Sequence, residues 1–307
     1  MIERVCVVGA GVIGSLYAGH LARVAEVTCL VRREEHARAL NEHGLRVSGR
    51  HHFLSHVAAA TTPDDLPDPD LVLHCTKTTS LEPAAAVLAG RFPETTMMTT
   101  QNGLGAEQIV RAHGDWPIVS AVTFMSGTKR SDAEVDYVLD TPTWLGPYEE
   151  TPYETVDEIA HLLADAGLKS QALRDVRPAQ WSKLIFNATV NGVAALTGLP
   201  HDFHFSDPEH FGGLVHELMA EGKLVAAAAD VELHDDPWEM NVHATKHGSS
   251  HYPSMLEDIE AGRPTEIELI NGALVREARE HGVEAPLHTA LYRLVKAREA
   301  SYLETHG

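Results

Sequence analysis

Several things are scarce in this sequence, and each scarcity excludes something. Cysteine occurs only as Cys6, Cys29 and Cys75 in 307 residues. The three are far apart, odd in number and set in Val/Leu-rich runs, which predicts buried reduced thiols and leaves no disulfide framework and no cysteine-built zinc site. Basic charge is short: 24 Lys and Arg stand against 44 Asp and Glu, a net charge of -20. Such a surface repels nucleic acid phosphates and anionic lipid, so neither is expected as a partner. Long apolar runs are missing too. Nowhere do 18 consecutive apolar residues occur, and the chain starts on a strand-like segment with no basic and apolar leader, so a cytoplasmic protein without a membrane span is expected.

What remains is an ordinary globular composition, 44% hydrophobic and 22% charged, long enough for two compact units. Residues 2–8 are β-rich and run into Gly9-Ala10-Gly11-Val12-Ile13-Gly14, after which Ser15 to Val24 suits a helix. Further β-rich pieces follow at 27–31, 70–76, 95–100 and 118–124, and 134–137 with 143–146 reads as a terminal hairpin. This alternation predicts an α/β architecture with a doubly wound parallel sheet. From about Pro178 the pattern becomes helical, punctuated by Gly198, Pro200, Gly248, Gly262, Pro264, Gly282 and Pro286. The predicted division is a sheet domain over 1–173 and an all-helical domain over 174–307.

A G-x-G-x-x-G stretch is informative because a strand precedes it and a helix follows. The first glycine allows the tight turn, the second lets backbone approach a diphosphate, and the third lets helix pack on strand. The helix N-terminus adds free N–H groups and the positive end of its dipole. Gly9, Ala10, Gly11, Val12, Ile13 and Gly14 are therefore candidate dinucleotide-binding residues. Where the next strand ends, an NAD site usually carries an acid; here the chain reads Leu30-Val31-Arg32-Arg33. A guanidinium pairs with a 2'-phosphate, so NADP(H) is expected over NAD(H), with Arg32 as the candidate. The plain alternative is that either arginine is a solvated loop charge. Residues 1–60 carry seven Arg and five Glu, net +2, against -22 for the rest, and an anion site gives that reversal a reason.

Only seven basic residues are lysines, at 77, 129, 169, 183, 223, 246 and 296, so each invites a question. Lys183, Asn187 and Asn191 fall at i, i+4 and i+8 of a helical pattern and make one stripe, ~12 Å long. Asparagine is a poor mid-helix residue and solvated faces favour other side chains. With apolar residues around it, the stripe predicts a site facing an interdomain cleft rather than a wet surface.

Together with Lys77 after a strand, Gln101-Asn102-Gly103, Ser254-Met255-Leu256-Glu257-Asp258 and Thr265-Glu266-Ile267, these elements resemble the ketopantoate reductase family along nearly the whole chain. The resemblance implies a Rossmann domain and a helical domain, with NADPH and a small 2-oxo acid, ketopantoate, meeting between them. It implies Lys183 as general acid, Asn187 and Asn191 as substrate holders, Ser254 on the substrate carboxylate and Glu266 completing the polar site. Lys77 and Asn102 would border the nicotinamide end, with Asn102 and Glu266 touching cofactor as well, and Ser126 would lie near a cofactor contact. Each has a plainer reading: Asn102-Gly103 is a common turn pair, Ser254 could cap a helix, and Glu266 suits a helix start.

Two departures bear on substrate choice. Gly192 stands where the family often has Pro or Ala, and Leu199-Pro200-His201-Asp202 replaces a Pro-Asn-Gly-like segment. Chemically, hydride transfer to a ketone leaves negative charge on oxygen, and Lys183 can supply the proton; no metal is required. A reductase of another branched 2-oxo acid or an imine, and a non-catalytic NADP-binding sensor, are the competing readings. Apolar stretches such as 214–229 could be core or the interface of a homodimer formed through the helical domain.

Overall fold

The computed structural model describes residues 2–200, 202–248 and 253–303. The chain divides into two compact units, Met1–Gln101 with Ala106–Val176, and Asn102–Gly105 with Arg177–Gly307.

The first unit carries twelve strands in two sheets. β1 (Arg4–Val8), α1 (Val12–Leu21), β2 (Glu26–Leu30) and α2 (Glu34–His43) open it, followed by β3 (Leu45–Gly49), β4 (Phe53–Ser55), β5 (Ala58–Ala60), β6 (Leu71–His74) and α3 (Leu81–Ala86). β7 (Thr96–Thr99), α4 (Ala106–Arg111), β8 (Ile118–Thr123), β9 (Ser126–Ser131), β10 (Glu134–Leu139), β11 (Thr143–Tyr148), α5 (Tyr153–Asp165) and β12 (Ser170–Ala172) complete it. The main sheet runs β12-β11-β8-β7-β6-β1-β2-β5, parallel except where β11 meets β8. Its order reverses between β1 and β6, the switch point at which doubly wound sheets bind ligands. The α/β doubly wound architecture read from the sequence is the one observed. Cys6 and Cys29 are buried and Cys75 half-buried, all as free thiols.

The second sheet, β4-β3-β10-β9, was not foreseen, and it explains α1. That helix buries eight of its ten residues because the main sheet lies on one side and β3, β9 and β10 pack on another. A helix without a polar face needs such double cover. The predicted hairpin of 134–137 with 143–146 does not form. β10 pairs with β9 and β3 in the second sheet, whereas β11 lies antiparallel to β8. The tight link between Ser131 and Glu134 gives β10 its nearest partner on the other side, and burial of Thr143 and Leu145 ties β11 to the main sheet.

The second unit is helical throughout its described residues: α6 (Arg177–Thr197), α7 (Phe203–Ser206), α8 (Phe211–Ala228), α9 (Pro237–Gly248), α10 (Ser254–Glu260), α11 (Asn271–Glu280) and α12 (Pro286–Leu303). α6 is its axis, packed by α8, α9, α10, α11 and α12, with Leu184, Ile185 and Ala188 in a core shared with Val225, Leu274 and Val295. Among the described residues no helix is long and apolar enough to cross a membrane.

Candidate active site

In the first unit the glycine turn follows β1 directly. Gly9 has φ +90°, and a β-carbon there would meet Thr76 of the loop after β6, 2.8 Å from its Cγ2. A β-carbon on Gly14 would lie 1.9 Å from the Gly9 carbonyl oxygen, so this residue must be glycine for α1 to sit on the turn. Gly11 differs: nothing lies within 4 Å of its missing β-carbon. Packing does not demand a glycine at 11, but the close approach of a diphosphate would. Gly11 is also the N-cap of α1, with no side chain capping it and no acid in the first turn. The N–H groups at this end are left for an anion. Ala10 is buried and Val12 and Ile13 half-buried. The turn thus fits a dinucleotide.

The two arginines after β2 have different surroundings. Arg33 is ion-paired to Asp132 in the turn between β9 and β10. Arg32 is exposed. Lys77 occupies the N-cap position of the short 3-10 turn 78–80 after β6 and is exposed, while Ser126 starts β9 half-buried. Its neighbour Gly127 lies close to α1: a β-carbon there would sit 3.1 Å from Val12 Cγ1. Ser126 therefore adjoins the start of α1.

In the second unit the polar stripe of α6 is buried. Asn187 and Asn191 expose 7% and 4% of their surface, which removes the solvated-face reading of those two side chains. Lys183 is half-buried, and burial lowers its pKa to about 8 while the Glu266 carboxylate works the other way. The Asn191 side-chain oxygen accepts from the Met255 N–H at 3.5 Å, so Ser254 stands beside this end of the stripe. Ser254 is the first residue of α10 and exposed; the cap position is Pro253. It is therefore not the capping residue.

Glu266 is buried between α10 and α11. Its Oε2 accepts from Asn102 Nδ2 at 3.0 Å. Asn102 is held there because the Leu104 N–H donates to the Leu269 carbonyl at 2.9 Å, and Gly103, with φ +92°, would place a β-carbon 1.7 Å from that same oxygen. The Asn-Gly pair is a turn pair with a definite job: it brings the amide to Glu266. On the far side, Thr265 donates through its N–H and hydroxyl to the buried Glu299 carboxylate, both at 2.7 Å, which fixes the segment carrying Glu266. Lys183, Asn187, Asn191, Ser254, Glu266 and Asn102 thus belong to one unit. His201 lies outside the described residues.

Sequence reasoning passed over a buried network behind the stripe. Asn271 donates to the Ala188 carbonyl at 2.8 Å and meets His288 Nδ1 at 3.3 Å. Glu221 accepts the Leu287 and His288 N–H groups at the start of α12, at 3.0 and 2.7 Å, which fills that helix end. The departure at Gly192 is explained here as well. A β-carbon on it would come 2.8 Å from the Leu291 side chain, so glycine lets α12 lie close to α6. Glu221, Asn271 and His288 carry no sequence pattern of their own; only Gly192 in a helix signalled close packing.

Comparison with known proteins settles the family. Residues 5–150 match the family described as ketopantoate reductase PanE/ApbA, and residues 175–299 match its C-terminal domain. The chain belongs to the ketopantoate reductase family. It is 30% identical to the 2-dehydropantoate 2-reductase of Pyrococcus horikoshii over 97% of this chain and 98% of that protein. Its fold is similar to a PanE/ApbA family ketopantoate reductase from Ralstonia eutropha, at 26% identity and TM-score 0.88 over 98% of this chain and 99% of that one. It also shares its fold with a D-mandelate dehydrogenase solved with NADH and anilino(oxo)acetate, at 24% identity and TM-score 0.86 over 98% and 99% of the two chains. Membership of this family makes the chain an oxidoreductase.

Proposed function

We propose that this chain reduces 2-dehydropantoate to pantoate with NADPH, a step toward pantothenate and coenzyme A. The observation that carries the reading is Lys183, an ammonium made acidic by burial and steadied by Glu266, in the same unit as the buried amides of Asn187 and Asn191 and the amide of Asn102. When bound, the nicotinamide supplies a hydride to the ketone carbon. Lys183 Nζ gives the ketone oxygen its proton, so the product is a 2-hydroxy acid and the lysine is left neutral until it takes a proton from solvent. An amine with a pKa near 8 is well matched to donating at neutral pH. Glu266 keeps Lys183 charged before transfer, and Asn102 keeps Glu266 in place. Asn187 and Asn191 are directional neutral partners that orient the substrate without adding charge, and the Ser254 hydroxyl serves its carboxylate.

Gly9 to Gly14 would hold the diphosphate, with Lys77 and Ser126 along the same cofactor. Arg32, exposed and in no ion pair among the described residues, supports a preference for the 2'-phosphate, since Arg33 is engaged by Asp132. Residues up to Val176, apart from 102–105, then form the cofactor domain, and the rest the substrate domain. The test is initial rates with 2-dehydropantoate and NADPH against NADH, beside a panel of other branched and aryl 2-oxo acids and imines. The reading requires 2-dehydropantoate to give the highest kcat/KM and NADPH to exceed NADH. A different preferred acid would keep the chemistry and change the substrate, and NADPH binding without turnover of any acid or imine would make the protein a sensor.

A further inference from the structure

Lys129 lies on β9, and no sequence motif marks it. Its Nζ donates to the Ala10 carbonyl at 3.0 Å, to Ser15 Oγ at 2.6 Å and to the Asp132 carbonyl at 3.3 Å. Ser15 itself is fully buried and donates to the same Ala10 oxygen at 3.1 Å. The three ammonium protons thus have three acceptors, and none is a carboxylate. Lys129 forms no ion pair among the described residues. The charged and titratable groups facing it are Cys29, Asp132, Arg33 and His36. The Asp132 carboxylate is engaged by Arg33, and burial lowers the Lys129 pKa to about 8.

An ammonium with no carboxylate bonded to it in a desolvated place is costly, and Asp132, which favours its charge from nearby, is shared with Arg33. A neutral amide would tie β9 to the turn at less cost, so the tie alone does not explain a lysine. Its position does. The Ala10 carbonyl sits between the first two glycines of the turn, where an outward oxygen would repel a diphosphate. Ser15 and Lys129 bond that oxygen, and in a trans peptide the N–H of Gly11 then points the opposite way.

We infer that Lys129 is a positioning residue for the cofactor diphosphate: it fixes the Ala10 peptide and puts a built-in positive charge behind the glycine turn. This rests on the reading of Gly9 to Gly14 as the dinucleotide site. Because the diphosphate is common to both cofactors, Lys129 acts on NADPH and NADH alike, unlike Arg32.

The experiment measures dissociation constants of NADPH and NADH by calorimetry, with Tm, for the wild-type protein, Lys129→Met, Lys129→Gln and Lys129→Arg. Gln keeps a donor for the Ala10 carbonyl and loses the charge. Both neutral variants are expected to bind each cofactor at least about tenfold more weakly, by the same factor for the two, as befits loss of a charged hydrogen-bond donor. Saturating cofactor should restore kcat to within about twofold, giving an effect on KM rather than on turnover. A folded neutral variant with wild-type affinity for both cofactors overturns the inference. So does failure of both neutral variants to fold while Lys129→Arg folds and binds, which would make the residue one of stability alone. Wild-type protein that binds neither cofactor would instead refute the dinucleotide reading itself.

Discussion

Asn102 Nδ2 donates to Glu266 Oε2 at 3.0 Å, joining residues 164 positions apart in the chain. The carboxylate that steadies Lys183 is thereby held from a turn that follows a sheet strand in sequence. Replacing Glu266 by Gln removes negative charge from beside the ammonium, so the neutral amine gains and the Lys183 pKa falls from about 8 to a lower value. The expected outcome is a kcat/KM profile whose alkaline break moves to lower pH, with kcat at pH 7 down about tenfold or more. A break left where it was would separate Glu266 from Lys183.

For the wild-type enzyme the sign follows from the role proposed for Lys183, that of proton donor. It must be protonated, and its pKa is about 8, so kcat/KM for ketone reduction should be level below that pH and fall about tenfold per unit above it. Lys183→Ala should lower kcat by about a hundredfold or more with cofactor affinity nearly unchanged. Stopped assays across pH 6 to 10 check the first expectation, and calorimetry with single-turnover rates checks the second.

Cofactor choice should divide between the two arginines. Arg32→Ala is expected to raise KM for NADPH about tenfold or more and leave that for NADH within about twofold, as loss of a charged contact to a 2'-phosphate requires. Arg33→Ala should matter less, since Asp132 already engages Arg33. Equal effects of Arg32→Ala on both cofactors would detach Arg32 from the 2'-phosphate.

The glycines give a contrast readable without activity. Gly14→Ala puts a methyl group 1.9 Å from a backbone oxygen and should cost several kcal/mol, seen as a large drop in Tm or loss of soluble protein. Gly11→Ala meets no protein atom within 4 Å, so its Tm should stay within a few degrees while dinucleotide affinity falls at least about tenfold. Unchanged affinity in the Gly11→Ala protein would show that nothing approaches the turn there.

Acid stability should be governed by buried histidines. His20, His74 and His288 have pKa values lowered to about 4 by burial. Unfolded, each titrates near 6.5, so between roughly pH 6.5 and 4 the unfolded chain binds more protons and stability falls as pH falls. Full passage through that window costs on the order of 3 kcal/mol per residue. Denaturant midpoints should decline steadily from pH 7 to 4, and His74→Gln should flatten part of the slope.

Much of the fold was readable because its signals are local. The glycine turn between strand and helix, the apolar runs of β1, β2 and β6, and the Lys183, Asn187, Asn191 spacing each lie within a dozen residues. The second sheet was not readable. β3 and β4 come from a polar stretch rich in Arg, His and Ser, and β3 pairs with β10 about ninety residues later, a choice made by the need to cover α1. The hairpin misassigned to 134–146 has the same origin, since strand propensity says nothing of which sheet a strand joins. Lys129 stood out only as one of seven lysines; its acceptors on Ala10 and Ser15 are more than a hundred residues away in sequence.

Residues 102–105 group with 177–307 although the chain on either side of them groups with the sheets. A gene cut at codon 177 would therefore deliver two incomplete halves. The downstream piece would lack the turn whose Leu104 N–H and Asn102 amide bond Leu269 and Glu266, and no linker at that junction could restore it. Swapping the helical unit between relatives of this protein would succeed only with the four-residue turn exchanged as well, making that unit a graft with two insertion points.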